Sequence, residues 1–96
     1  MKELIIGGVY SVISHPDEYL IYLEDISSNI LMLYEVKTNY NNLQDINDYL
    51  DYVIHPEHQP LLIQNKIAFD RERLLNECDG FMGVINEELL NRIKKL

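Results

Sequence analysis

The chain has no tryptophan, one cysteine, four glycines and three prolines, and it has no arginine before Arg71. A single cysteine, Cys78, excludes an internal disulfide, and a reducing, cytoplasmic setting suits it. No window approaches the roughly 20 apolar residues needed to cross a bilayer as a helix, so no membrane contact is expected. The apolar stretch Leu4-Ile5-Ile6 is far shorter than a signal-peptide core, and Glu3 stands where such a peptide is positive. Gly7-Gly8 is not followed by the further glycines and Lys-Ser/Thr of a phosphate loop, which argues against nucleotide binding there. Repeats, linkers and low-complexity tails are missing as well.

What is present suffices for one hydrophobic core and no second domain: 96 residues, 47% of them hydrophobic. A chain of this size buries roughly 60–65% of its unfolded surface and is modestly stable, which leaves homodimerisation open. The formal net charge is -8, and it is unevenly spread. Residues 1 to 60 hold ten acids against Lys2 and Lys37, whereas residues 61 to 96 hold six acids and six bases. A negative field over the first two thirds repels nucleic acid and attracts basic surfaces. The partner this implies is another protein with a basic surface, without direct nucleic-acid binding.

Local patterns predict an α+β fold over residues 1–96, a small curved antiparallel sheet with a middle helix and a C-terminal helix. A first strand is expected from about Leu4 to Ser14, with Gly7-Gly8 marking a bulge or a close backbone approach. His15-Pro16-Asp17-Glu18 reads as a turn. The runs from Tyr19 to Glu24 and from Ile30 to Val36 are strand-like and stand at hairpin spacing. Both are more continuous than alternating, so period alone does not fix the buried face.

After the polar break Asn39-Tyr40-Asn41-Asn42, Leu43, Ile46, Leu50 and Val53 recur at helical spacing. With Asn42 as N-cap and Asp45 in the first turn, a helix is predicted from about 43 to 53. A stiff loop, His55-Pro56-Glu57-His58-Gln59-Pro60, follows it. Leu61 to Gln64 and Ile67 to Phe69 read as strands or one bent strand, and Asp70 as the cap of a short helix holding Leu74 and Leu75. Asp79-Gly80 and Gly83 are expected to break the chain around Phe81 and Met82. Asn86 opens the last helix, with Leu89, Leu90, Ile93 and Leu96 on one face and Lys94-Lys95 in the final turn.

Few residues suggest chemistry. His55 and His58 flank Glu57, but Pro56 breaks the helical spacing a metal pair would use, and no further ligand is evident. Cys78 has no local motif to lower its pKa and reads as a small buried hydrophobe. No catalytic, cofactor or metal residue is assigned. The candidate partner-binding residues are acidic and aromatic. Asp45, Asp48 and Asp51 form a stripe opposite the apolar face of the middle helix, and Tyr40, Tyr49 and Tyr52 lie in the same stretch. Glu24 and Asp25, at the end of the second strand, join them as further carboxylates. Tyrosine is favoured at protein interfaces.

The stretch from Leu62-Ile63-Gln64-Asn65-Lys66-Ile67-Ala68-Phe69 through Asp70-Arg71-Glu72-Arg73-Leu74 to Asn86-Glu87-Glu88-Leu89-Leu90 resembles the closing section of the MazF/PemK-like toxin endoribonucleases. Ile6-Gly7-Gly8-Val9-Tyr10-Ser11-Val12 is similar to that family's opening glycine and strand. The resemblance implies an SH3-like partial barrel decorated with helices, and RNA cleavage as an alternative activity. The chain departs from the family at its site. The early Arg-Pro is missing, Lys37-Thr38 has no matching arginine, and residues 1 to 60 lack the positive region that would hold phosphates. Arg71 and Arg73 read instead as a helix-surface pair balanced by Asp70 and Glu72.

The leading expectation is a non-catalytic acidic binding protein. In its sharper form this is a mobile-element inhibitor occupying the basic site of a nucleic-acid-binding or defence protein. A ribonuclease with an altered site, and a regulatory or structural subunit without charge mimicry, are the alternatives.

Overall fold

The two continuous apolar runs become the middle strands of a sheet that is covered on both faces. Successive side chains of a strand point to opposite faces. Tyr19, Ile21 and Leu23 therefore enter one core while Leu20 and Tyr22 enter the other. The computed structural model describes residues 4–54 and 65–96. Along the chain run β1 (Gly8–Val12), β2 (His15–Asp25), β3 (Ile30–Lys37), α1 (Leu43–Val53), β4 (Lys66–Asp70), α2 (Arg71–Glu77), β5 (Cys78–Val84) and α3 (Glu87–Lys94). The strands form one open antiparallel sheet in the order β4-β3-β2-β1-β5, and α2 links the two edge strands. The α+β class and the two expected helices are thus present, together with the short helix that Asp70 opens.

Helices α1 and α3 lay Ile46, Leu50, Leu89 and Ile93 over Val9, Ile21, Tyr34 and Val36 on one face. On the other face Leu74 of α2 and Cys78 close over Tyr10, Tyr22, Leu31 and Leu33. Each helix starts on a side-chain cap that satisfies an otherwise orphaned amide. Asn42 accepts from the Asp45 N–H at 2.9 Å, Asp70 from Arg73 at 3.1 Å and Asn86 from Glu88 at 2.9 Å. The apolar stripe of α3 is buried in its own core, so this helix presents no apolar seam to a second copy. Among the described residues no helix is long and apolar enough to cross a membrane.

Three expectations are corrected. Residues 4–7 are not strand. Gly7 has φ +85, its N–H donates to the Tyr22 carbonyl at 2.7 Å, and Gly8 donates back to Ile5 at 2.8 Å, so the chain turns before β1 begins. His15 to Glu18 are not a turn either. The reversal lies at Ile13-Ser14, with Val12 opposite His15, and β2 has already begun. Pro16 is tolerated because it has no partner in either ladder of β2, so its missing N–H breaks nothing. Finally, Asp79 to Gly83 do not break the chain. They form β5, whose ladder with β1 shifts register twice, and such bulges accommodate glycine. The residues 55–60 and 61–64, read as a loop and a strand, lie outside the described residues.

Candidate functional site

With Leu43, Ile46, Leu50 and Val53 turned to the core, positions 45, 48 and 52 of α1 are left on its outer side, and half-buried Tyr49 packs at the edge of the core between the two faces. Residues three and four apart are surface neighbours on a helix. Asp45 therefore neighbours Asp48 and Tyr49, and Tyr52 neighbours both Asp48 and Tyr49. The loop entering α1 adds Tyr40, and three hydrogen bonds fix its path. Thr38 N–H donates to the Asp17 carbonyl at 2.9 Å, Tyr40 N–H to Thr38 Oγ1 at 3.2 Å, and the Tyr19 phenol to the Tyr40 carbonyl at 2.7 Å. The Tyr40 and Tyr49 rings then meet with centroids 5.8 Å apart and planes tilted by 56°. Tyr40, Asp45, Asp48, Tyr49 and Tyr52 together line one shallow recess of about 240 Å³. Tyr52 is 81% exposed at its rim.

The carboxylates of the stripe are not equivalent. Asp45 accepts from Asn42 Nδ2 at 2.7 Å, and Asp48 accepts from Gln44 Nε2 at 3.0 Å. Both donors are neutral, and neither carboxylate has a basic partner among the described residues, although Asp45 in the first turn of α1 also meets the helix N-terminus. Asp51 differs. It pairs with Arg92 Nη2 of α3 and lines a separate cleft between α1 and α3, where Asn47 also accepts from the Asn86 N–H at 3.1 Å.

Glu24 and Asp25 are not brought to this recess. They end β2, whereas Tyr19, which holds the Tyr40 loop, stands near its middle, about 20 Å from Asp25 at strand rise. Asp25 instead accepts from Arg71 Nη2 at 2.7 Å and from the Tyr22 phenol, and the Arg71 guanidinium lies 6.0 Å from the Tyr22 ring centroid. The expected balance of Arg71 and Arg73 by Asp70 and Glu72 is corrected accordingly. Adjacent residues of a helix do not face each other, and Asp70 is engaged as the cap of α2. Arg73 pairs with Glu77 at 2.8 Å and lies over Phe69, 4.8 Å from its ring centroid. No local signal reveals the Asp25–Arg71 pair, because it depends on β3 pairing with β4, where Ile30 sits opposite Asp70.

Two tyrosines are perturbed. Burial pushes the Tyr22 phenol above its ordinary value near 10, its hydrogen bond to Asp25 adds to this, and Arg71 opposes it. Burial also raises Tyr34, against a hydrogen bond to Asn65. A folded-state pKa raised above the unfolded one contributes stability that is complete below the unfolded value and lost as pH climbs through the folded one. The urea midpoint is therefore expected to show no loss from these two phenols between about pH 7 and about pH 9 and to fall beyond about pH 10, with Tyr34→Phe reducing that fall.

Among the described residues no group of histidine, cysteine and carboxylate side chains could hold a metal ion, and His55, Glu57 and His58 lie outside them. Cys78 is 1% exposed within the second core, as a small hydrophobe would be. No protein-family model, curated protein or solved structure matches the chain.

Proposed function

We propose that this is a non-catalytic acidic binding protein that uses the outer face of α1 to engage a basic site on another protein. In the sharper reading that partner is a nucleic-acid-binding or defence protein, and the carboxylates take the place of phosphates. The observation that carries the reading is the recess itself. Asp45 and Asp48, without a basic partner among the described residues, stand beside exposed Tyr40 and Tyr52 and half-buried Tyr49 at the outer edge of α1. Opposite charge speeds the encounter of two proteins, while aromatic and arginine anchors supply most of the holding energy.

Affinity capture from the native host followed by stopped-flow association with the captured protein tests this. Replacing Asp45, Asp48 and Asp51 together by asparagine is expected to slow association roughly tenfold at low salt and to remove much of its salt dependence. Folding should change by less than about 1 kcal/mol, because the three carboxylates, including the one paired with Arg92, are exposed. Unchanged rates at two salt concentrations would dismiss α1 as the binding face and leave a subunit without charge mimicry. Specific cutting of single-stranded RNA, lost in Arg71→Ala, would replace the proposal with the ribonuclease reading.

A further inference from the structure

We infer that the recess formed by Tyr40, Tyr49, Tyr52, Asp45 and Asp48 is a socket for one arginine side chain of the partner protein. This rests on the binding role proposed for α1 and specifies the chemistry that role requires. A guanidinium is planar and weakly hydrated, stacks on aromatic faces, and matches a carboxylate with paired donors. The recess offers both halves of that recognition: a tilted Tyr40–Tyr49 ring pair with Tyr52 at the rim, and two carboxylates without a basic partner among the described residues.

The molecule already uses this combination internally. Arg71 is held by the Asp25 carboxylate and lies against the Tyr22 ring, with aromatic and acid three residues apart. On α1 itself, Asp51 holds a guanidinium from another element, Arg92. Asp45 and Asp48 stand on the same helix with the aromatic partners in place and no basic side chain paired to them among the described residues. The size of the recess favours a side chain over a free ligand. At about 240 Å³ it falls below the roughly 300–1,000 Å³ of small-molecule pockets, which enclose most of their ligand. A side chain anchored by the rest of an interface needs no such enclosure. The fixed Tyr40 loop lowers the ordering cost of binding.

The test titrates the full ¹⁵N-labelled chain with the peptide acetyl-Gly-Arg-Gly-amide and with its lysine and citrulline counterparts, following amide shifts. The arginine peptide is expected to give saturable shifts centred on Tyr40, Asp45, Asp48, Tyr49 and Tyr52. The lysine peptide should bind at least twofold more weakly, and the neutral citrulline peptide should give no saturation. Tyr52→Ala should weaken arginine binding about three- to fivefold, with Tyr52→Phe within about twofold of the parent, since the ring face and not the hydroxyl is used. Asp48→Asn should weaken it about fivefold.

Equal binding of the citrulline or lysine peptide, shifts spread evenly over Asp17, Glu24 and Glu35, or an unaffected Tyr52→Ala variant would each overturn the socket. The fold is not at stake in these variants, because Tyr52 is 81% exposed. The two proposals fail separately. Peptide binding as described, with partner association unmoved by the triple asparagine variant, would sink the role of α1 toward that partner and keep only the arginine-binding chemistry of the recess. Slowed association with peptide binding indifferent to Tyr52→Ala would do the reverse.

Discussion

Leu50→Ala is expected to destabilise the protein by about 2–4 kcal/mol, read as a lowered urea midpoint at unchanged slope. Leu50 is 1% exposed and belongs to the core shared by α1, α3 and the sheet. Truncating it removes apolar burial and leaves a cavity beneath the helix that its neighbours fill only in part. Domains of this kind are stable by only about 5–15 kcal/mol in all, so the loss is a large share of the total. The variant also fixes the register of α1. A melt indifferent to Leu50→Ala would mean that Asp45, Asp48 and Tyr52 do not share the outward face on which the binding role depends.

Gly83→Ala is expected to cost about 2 kcal/mol, with the same urea melt as its measure. Gly83 has φ +122, a backbone conformation that L side chains rarely adopt. An added Cβ would also stand 2.7 Å from Leu43 Cδ2, on the first residue of α1. That contact ends on a flexible side chain and can be relieved by a small shift, so the backbone strain is the larger part. Gly80→Ala is the comparison. No positive φ is involved there, and the atom its Cβ would meet at 2.7 Å is the Ser11 hydroxyl, which can turn away by giving up its exposed hydrogen bond to Asp79. It should cost under about 1 kcal/mol. Equal losses at the two glycines would show that backbone conformation does not decide the matter.

The elements with the clearest sequence signals are those whose instructions are local. Leu43, Ile46, Leu50 and Val53 state a helical period and Asn42 states its start, so α1 could be placed to the residue. Asn86 with Leu89, Leu90 and Ile93 did the same for α3. β2 and β3 were recognisable from their aliphatic and aromatic runs. Their facing was not, because a strand buried on both sides has no alternation to read. The mistakes arose where pairing overrode local chemistry. Pro16 and Asp17 are turn residues by habit yet lie in β2, looped out between the His15 and Tyr19 pairings with β1, and the glycines of β5 are accommodated by bulges against β1.

The same division runs through the candidate site. The grouping of Asp45, Asp48, Tyr49 and Tyr52 follows from helical spacing alone, whereas the ring of Tyr40 meets Tyr49 from a loop held by hydrogen bonds to Asp17, Thr38 and Tyr19. The pairing of Asp51 with Arg92 and of Asp25 with Arg71 needs the packing of α3 on α1 and of β4 on β3. Neither can be deduced from a single stretch of chain. Glu24 and Asp25 looked equivalent to the other carboxylates because charge composition carries no information about distance.

The position of β5 next to β1 has a consequence for biosynthesis. Among the described strands β1 is made first and β5 last, yet each completes the other's hydrogen bonding. At roughly 5–20 residues per second, on the order of ten seconds separate their emergence from the ribosome. Throughout that interval one side of β1 can be closed by β2, while the backbone amides and carbonyls on the other side lack their native partner. An unpaired edge carrying Val9, Tyr10 and Val12 is a template for any extended segment nearby. The nascent chain is thus most open to mispairing when four strands have been made and the fifth has not.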